Sequence, residues 1–211
     1  MAELKDSLVL PNGALQAILY TPAKSSPTSI PTLQVLDQLA LPHQTIYIPI
    51  KNSQDAYNAI KSMSVRGAPA IAIVAALSVA VEISSLESSS SSKAVSADGM
   101  NGVLIHLLEY LLDSRPTAVN LRDAVTKLLK ISKTAAQIEG ATAESVRAAY
   151  IEAAEKMLVD DVDDNQAIGQ FGTNWIKKNL IVGNSNGKVA VLTHCNTGFV
   201  FLSFCYYYHN C

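Results

Sequence analysis

The stretch "SVRGAPAI", from Ser64 to Ile71, places an arginine, a glycine and a helix start within a few residues. The Arg66 guanidinium is suited to hold a phosphate through two parallel hydrogen bonds. The amides of Gly67 and Ala68, at the positive end of the helix that follows, would add uncharged donors for the same anion. In a second interpretation, Arg66 caps a neighbouring helix end and Gly67 only turns the chain. Taken alone, the spacing favours this second interpretation.

A second arginine stands at a helix boundary in "DSRPTAVNL", where Pro116 sets the turn. Arg115 is therefore a candidate for a further phosphate or hydroxyl contact of a substrate. The alternative is a surface salt bridge with Asp113. Because surface arginines are common, this alternative is favoured when the motif is considered by itself.

A cysteine follows a short apolar strand in "KVAVLTHCNTG". Ligands of open α/β sheets bind at the carboxyl ends of strands, which makes Cys195 a candidate nucleophile, acid/base group or polarising thiol. His194 is its neighbour, but successive residues of an extended segment point to opposite faces, so a direct dyad is not expected. A lone cysteine is more often a small buried apolar residue than a catalyst.

No pattern in the chain predicts a metal site. The acidic run "DDVDD" lacks the glycine and the terminal glutamate of a calcium loop. It is better explained as a solvated helix start. His43, His106 and His209 stand apart from one another and form no pair of metal ligands.

The elements that would position these residues begin with short strands. "SLVL", "ALQAILY" and "TIYIPI" are strand candidates. Ser53 is the predicted N-cap of a helix with Ala56, Ile60 and Met63 on one face. A second helix, from Pro69 to about Leu86, is apolar nearly all round and is expected to be buried.

Further helices are predicted after a serine-rich stretch, "SSLESSSSSKAVSADGMNG", which we expect to be a surface loop. One helix covers "VLIHLLEYLL". Thr117 is the predicted cap of the next helix, and Gly140 its C′ residue. Thr142 opens a segment that we expect to form two helices, broken around "DDVDD".

The fold class expected is a mainly α N-terminal domain with a small β element, over residues 1–180. The first strand of a truncated α/β Rossmann-like domain would follow in 181–211, with an atypical aromatic tail in 199–211.

Composition narrows the classes of partner. A formal net charge of −2 provides no basic surface for nucleic acid. All three cysteines lie late in the chain and suggest neither a disulfide framework nor a zinc site. No apolar signal core opens the sequence, and the apolar run from Ala68 to Val81 is too short to cross a bilayer. We expect no membrane association and a soluble protein of the cytoplasm, with the nucleus as an additional location.

In combination, the motifs are more specific than any one of them. "LDQLALP", "VRGAPAI", "SRPTAVNL", "DDNQAIGQFG" and "VLTHCNTG", in this order, resemble the methylthioribose-1-phosphate isomerases. That family belongs to a superfamily that includes ribose-1,5-bisphosphate isomerases and regulatory subunits of the exchange factor for translation initiation factor two. The resemblance implies conversion of 5-methylthioribose 1-phosphate to 5-methylthioribulose 1-phosphate in methionine salvage.

The same resemblance carries roles onto this chain. Arg66, Gly67 and Ala68 match the phosphate-binding loop, and Arg115 a further substrate contact. Cys195 matches a cysteine that stabilises the transition state or shuttles a proton. No metal or organic cofactor is implied, the partner is a small sugar phosphate, and family members form homodimers.

After Gly198 the chain departs from the family pattern. The resemblance covers about the N-terminal half of a family member, and no aspartate here matches the family's general acid. We therefore expect a truncated chain with little or no isomerase activity alone. Two alternatives stay open: a non-catalytic assembly module like the regulatory subunits, and an isomerase of another sugar phosphate, such as ribose 1,5-bisphosphate.

Overall fold

The computed structural model of the chain describes residues 16–23, 30–86 and 96–179. The described residues from 16 to 157 form one compact unit, and residues 158–179 belong to a second unit. The predicted strands "SLVL" and "KVAVLT", Cys195 and the tail 199–211 lie outside the described residues. The domain boundary at residue 180 stays a prediction.

A small antiparallel sheet opens the described part of the chain. Its strands are β1 (Ile18–Thr21), β2 (Thr32–Leu36) and β3 (Tyr47–Ile50), in the order β1-β2-β3. Strand β2 is the centre, with Val35 opposite Ile18 on one side and Ile48 on the other. Sequence reasoning predicted β1 and β3 but missed β2. The alternation of polar and apolar residues in β2 could have predicted the strand, since Leu33 and Val35 are buried while Thr32 and Gln34 are exposed.

Helix α1 (Ser53–Lys61) follows β3 directly. The predicted cap is wrong by one residue: Asn52 is the N-cap, and its side chain accepts from the Asp55 amide at 2.9 Å. Ser53 is the first helical residue, and its amide donates to Oε2 of Glu82 in the next helix at 2.7 Å. This bond ties the start of α1 to the far end of its neighbour.

Helix α2 (Ala68–Ser85) is the centre of the helical packing, as the sequence predicts. It contacts α1, α3, α4 and strand β2, and 67% of its residues are buried. By length and composition alone, this one described helix is long and apolar enough to cross a membrane, so the length argument from the sequence does not exclude a span. Its neighbours account for its apolar surface, because they cover it on several sides.

Helices α3 (Ala97–Leu112) and α4 (Val119–Ala136) form an antiparallel pair. Near its far end, α4 meets the start of α3 where the Ser132 hydroxyl donates to Asn101 Oδ1 at 2.8 Å. The serine-rich stretch is not a loop throughout, because Ser96 caps α3 through the Gly99 amide and residues 97–102 are helical.

The predicted ends of α4 are also wrong. Its N-cap is Ala118, which provides no side-chain acceptor, rather than Thr117. Its C-cap is Gln137, so Gly140 lies beyond the C′ position, in a turn where its φ is 75°.

Helix α5 (Ala143–Asn179) is continuous, contrary to the predicted break at "DDVDD". Ending a helix leaves four carbonyls without partners, whereas an interior aspartate costs only about 0.7 kcal/mol. Thr142 opens the helix as predicted, since its hydroxyl accepts from the Ser145 amide at 3.1 Å.

Two tyrosines join the first half of α5 to the rest of the 16–157 unit. The buried Tyr150 hydroxyl donates to the Ala76 carbonyl of α2 at 3.1 Å. The Tyr20 hydroxyl of β1 donates to Glu155 at 2.7 Å. Burial raises the pKa of both phenols, and the Glu155 carboxylate raises that of Tyr20 further. Both are therefore neutral structural donors.

Candidate functional site

The connection between α1 and α2, residues 62–67, carries the predicted phosphate motif and is called the α1–α2 loop here. Helix α1 stops because Met63 takes φ 66°, the left-handed conformation that ends many helices. The Val65 side chain is buried, and its amide donates to the Ala59 carbonyl at 3.1 Å. The loop is thus anchored to the core immediately before Arg66. The prediction that Met63 shares the buried face of α1 is wrong, because it lies outside the helix and is 42% exposed.

The Arg66 guanidinium is held on one edge. Its Nε donates to the Met63 carbonyl at 3.1 Å, just beyond the end of α1. Arg66 therefore does cap a helix end, as the plainer interpretation of the sequence has it. However, the two Nη groups donate to no acceptor in the ranges described, and the residue is half-exposed. The Nε of the guanidinium therefore positions the side chain, and the edge formed by the two Nη groups is available to an anion.

The start of α2 presents unpaired amides beside this guanidinium. Gly67 is the N-cap, with φ 99° and ψ 130°, and no side chain caps the helix. Within the described part of the chain, the amides of Gly67 and Ala68 have no hydrogen-bond acceptor. Pro69 has no amide to satisfy. Uncapped amides at a helix N-terminus, next to a guanidinium, are chemically suited to bind a phosphate dianion.

Arg115 lies in the turn between α3 and α4. Its carbonyl accepts from the Ala118 amide at 2.9 Å, which closes the turn around Pro116. Its guanidinium forms no ion pair with Asp113 or with any other described residue, so the salt-bridge alternative is not seen. Nor does any hydrogen bond among the described residues join Arg115 to the α1–α2 loop. The structure thus groups Arg66, Gly67 and Ala68 and leaves Arg115 on a separate turn.

Two other features bear on the chemistry. In the described ranges, no group of three or more His, Cys, Asp or Glu side chains is placed to hold a metal ion. A surface depression of about 290 Å³ borders the loop but includes none of the predicted site residues; it is lined by Ile48, Pro49, Asp55, Asn58, Ala59, Ser62 and Ser64. Cys195, the third predicted site, lies outside the described residues.

Gln38 is a contact of this loop that sequence reasoning did not single out. It follows β2, and its amide donates to the Ser64 carbonyl at 3.0 Å. Its side-chain Nε2 donates to the Arg66 carbonyl at 3.3 Å. No periodicity marks Gln38 in the sequence. The only signal was its place in the motif "LDQLALP".

The sequence is similar to a known family and to named enzymes. A model of the initiation factor 2 subunit family matches residues 64–205. The methylthioribose-1-phosphate isomerase of Pyrenophora tritici-repentis is 51% identical over 184 residues, which cover 87% of this chain and 43% of that protein. The methylthioribose-1-phosphate isomerase of Oryza sativa subsp. indica is 48% identical over 186 residues, covering 88% of this chain and 46% of that protein. The chain therefore spans less than half the length of these relatives.

Solved structures share the fold. The delta subunit of the translation initiation factor eIF-2B from A. fulgidus matches with a TM-score of 0.60 and 26% identity, over 77% of this chain and 42% of that chain. The 5-methylthioribose 1-phosphate isomerase of Pyrococcus horikoshii matches with a TM-score of 0.62 and 23% identity, over 77% of this chain and 41% of that chain. These likenesses confirm the resemblance that the motifs indicated, and the fold likeness supports the helical N-terminal architecture.

Proposed function

Because the chain belongs to the initiation factor 2 subunit family, we propose that it takes part in the isomerisation of 5-methylthioribose 1-phosphate to 5-methylthioribulose 1-phosphate. The observation that carries the proposal is the uncapped start of α2, where Arg66 and the amides of Gly67 and Ala68 are available to one anion. The named relatives, about half identical in sequence, direct the choice of substrate.

The loop would hold the substrate by its phosphate. Each hydrogen bond to a charged group contributes about 1.5–3 kcal/mol, and Arg66 offers its free edge for more than one of them. The amides add donors that require no side-chain ordering, because Gly67 and Ala68 are already fixed at the helix start. Since the phosphate is attached to C1, this anchor would place the reacting carbon next to the start of α2.

The chemistry starts from a sugar that its own phosphate locks as a ring. Ring opening breaks the bond between C1 and the ring oxygen, which takes up a proton. The ring oxygen keeps the electron pair of the broken bond, which leaves C1 electron-deficient. A hydride, a hydrogen with its electron pair, then moves from C2 to C1, and the C2 hydroxyl loses its proton to become the ketone. Phosphate binding cannot supply these proton transfers, so a separate acid/base group is needed.

Within the same proposal, Cys195 stabilises the transition state or shuttles a proton, and Arg115 contacts the substrate. Residues 181–211 would begin a Rossmann-like domain that carries this thiol after its first strand. Assembly as a homodimer and a cytoplasmic or nuclear location are further parts of the proposal. They are expectations from the family resemblance.

Titration calorimetry with the full 211-residue chain tests phosphate binding. Arg66→Ala should raise the Kd for 5-methylthioribose 1-phosphate about 10- to 100-fold, and Arg66→Lys should recover only part of that loss. Lys127→Ala is the matched control, because it removes one exposed cation whose partner is Asp123 in its own helix. Equal affinities for wild type and Arg66→Ala would contradict the proposal, as would equal affinity for 5-methylthioribose without phosphate.

Turnover by the chain alone is expected to be weak or absent, and it is measured separately, by formation of 5-methylthioribulose 1-phosphate with Cys195→Ser as the control. Ribose 1,5-bisphosphate in the same assay tests the alternative substrate. If the wild type and Cys195→Ser formed the product at the same rate, the role proposed for the thiol would be contradicted.

A second candidate function is a non-catalytic assembly module, which the fold likeness to the delta subunit of eIF-2B favours. In that case the chain would bind a family subunit stably and would show no affinity for the sugar phosphate. Co-purification with such a subunit, measured beside the calorimetry, separates the two functions.

A further inference from the structure

Gln38 clamps the α1–α2 loop to the end of the β-sheet at two points. Its backbone amide donates to the Ser64 carbonyl at 3.0 Å, and its side-chain Nε2 to the Arg66 carbonyl at 3.3 Å. Gln38 lies two residues after β2, the central strand, and is half-buried. The two carbonyls flank Val65, whose side chain is in the core. The clamp therefore acts on the loop immediately before the proposed phosphate donors.

The second of these bonds acts on the same peptide unit that carries the Gly67 amide. The peptide bond from Arg66 to Gly67 is trans, since the described residues have a cis bond only at Leu41–Pro42. In a planar trans peptide the C=O and the N–H point in opposite directions. A donor that fixes the Arg66 carbonyl on one side therefore fixes the direction of the Gly67 N–H on the other side.

We propose that Gln38 is a positioning residue, which aims the Gly67 amide at the phosphate by holding the carbonyl of the same peptide unit. The inference rests on the proposed phosphate-binding function of the loop. Such a device is useful beside a glycine, because a residue without Cβ restricts the rotation of its flanking peptide units less than other residues do. A hydrogen bond to the carbonyl also polarises the N–H and strengthens it as a donor.

Residual dipolar coupling of the Gly67 N–H vector, measured on the ¹⁵N-labelled full chain without ligand, tests the orientation. Gln38→Met keeps the length of the side chain and removes the donor, so the coupling should change. Gln34→Met is the control, because Gln34 is exposed on β2. Gln38→Glu keeps the shape and the backbone bond and serves where Gln38→Met does not fold, as judged by circular dichroism. An unchanged Gly67 coupling in a folded Gln38 variant overturns the inference.

The second measurement is binding of 5-methylthioribose 1-phosphate by the same proteins. Loss of one positioned hydrogen bond should raise the Kd about 3- to 10-fold in Gln38→Met and leave it unchanged in Gln34→Met. A wild type that binds, with equal binding by Gln38→Met, overturns the inference and leaves the proposed function intact. A wild type that does not bind overturns the proposed function, and the Gly67 coupling still decides whether Gln38 orients the amide.

Discussion

Replacing Gly67 by alanine tests the backbone of the α1–α2 loop directly. Gly67 has φ 99° and ψ 130°, a combination that a residue with Cβ adopts only at a cost of about 1–3 kcal/mol. Helix α2 begins at the next residue, so a change of φ at this position would displace the first turn of the central helix. Gly67→Ala should therefore lower the free energy of unfolding by about 1–3 kcal/mol, or the Tm by about 2–4 °C for each kcal/mol.

Urea unfolding followed by far-UV circular dichroism gives the free energy, with Gly102→Ala as the matched control. Gly102 is inside α3, and a Cβ built there meets no atom within 4 Å. Alanine should stabilise that helix by about 0.5–1 kcal/mol, because it restricts the unfolded chain and favours helix. The same substitution thus has opposite signs at the two glycines. If Gly67→Ala were as stable as wild type, the loop would not have this backbone conformation, and the phosphate site built on it would fail.

Three other substitutions test the contacts that hold the helices. Glu82→Ala removes the acceptor of the Ser53 amide and should destabilise the chain by about 1.5–3 kcal/mol in urea unfolding; an unchanged midpoint would contradict that bond. Tyr150→Phe removes the hydroxyl that donates to Ala76 and should cost about 0.5–1.5 kcal/mol in the same assay, whereas no loss would mean that the buried hydroxyl contributes nothing. Burial, and then a neighbouring carboxylate, raises the pKa of Asp161 above 3.8. An acid with a raised folded-state pKa loses stability as the pH rises above its unfolded pKa. Asp161→Asn should therefore raise the Tm at neutral pH and leave it unchanged well below pH 3.8; a gain that is independent of pH would refute the titration.

The elements that the sequence predicted best are those in which local and tertiary preferences agree. Helix α2 has Pro69 in its first turn and an apolar surface all round, so both its position and its burial were predictable. Strand β2 was missed because its five residues follow a run rich in serine, threonine and proline, which is typical of turns. The buried Leu33 and Val35 nevertheless alternate with exposed residues, as in a strand. The continuity of α5 was missed because local aspartate preferences were weighed without the cost of ending a helix.

The candidate site divides in the same way. The motif around Arg66 predicted the loop and its donors, because guanidinium and helix-start chemistry depend on neighbours in sequence. The contact from Gln38 depends instead on a partner 28 positions away, and no local pattern encodes such a contact. The left-handed backbone conformation of Met63 could not be predicted from the sequence either, since methionine has no preference for that conformation.

The apolar surface of α2 also has a consequence for folding while the chain is being synthesised. The ribosome completes this helix well before it makes α3, α4 and the first half of α5. Tyr150, which contacts Ala76, is added about 65 residues after Ser85, a delay of about 3–13 s at ordinary elongation rates. During that interval the surface of α2 that α3, α4 and Tyr150 later contact lacks these partners, and exposed apolar surface of this kind promotes aggregation. Early folding of the strands and of α1, which precede α2 and are ready to pack on it, reduces the exposed apolar surface of this segment.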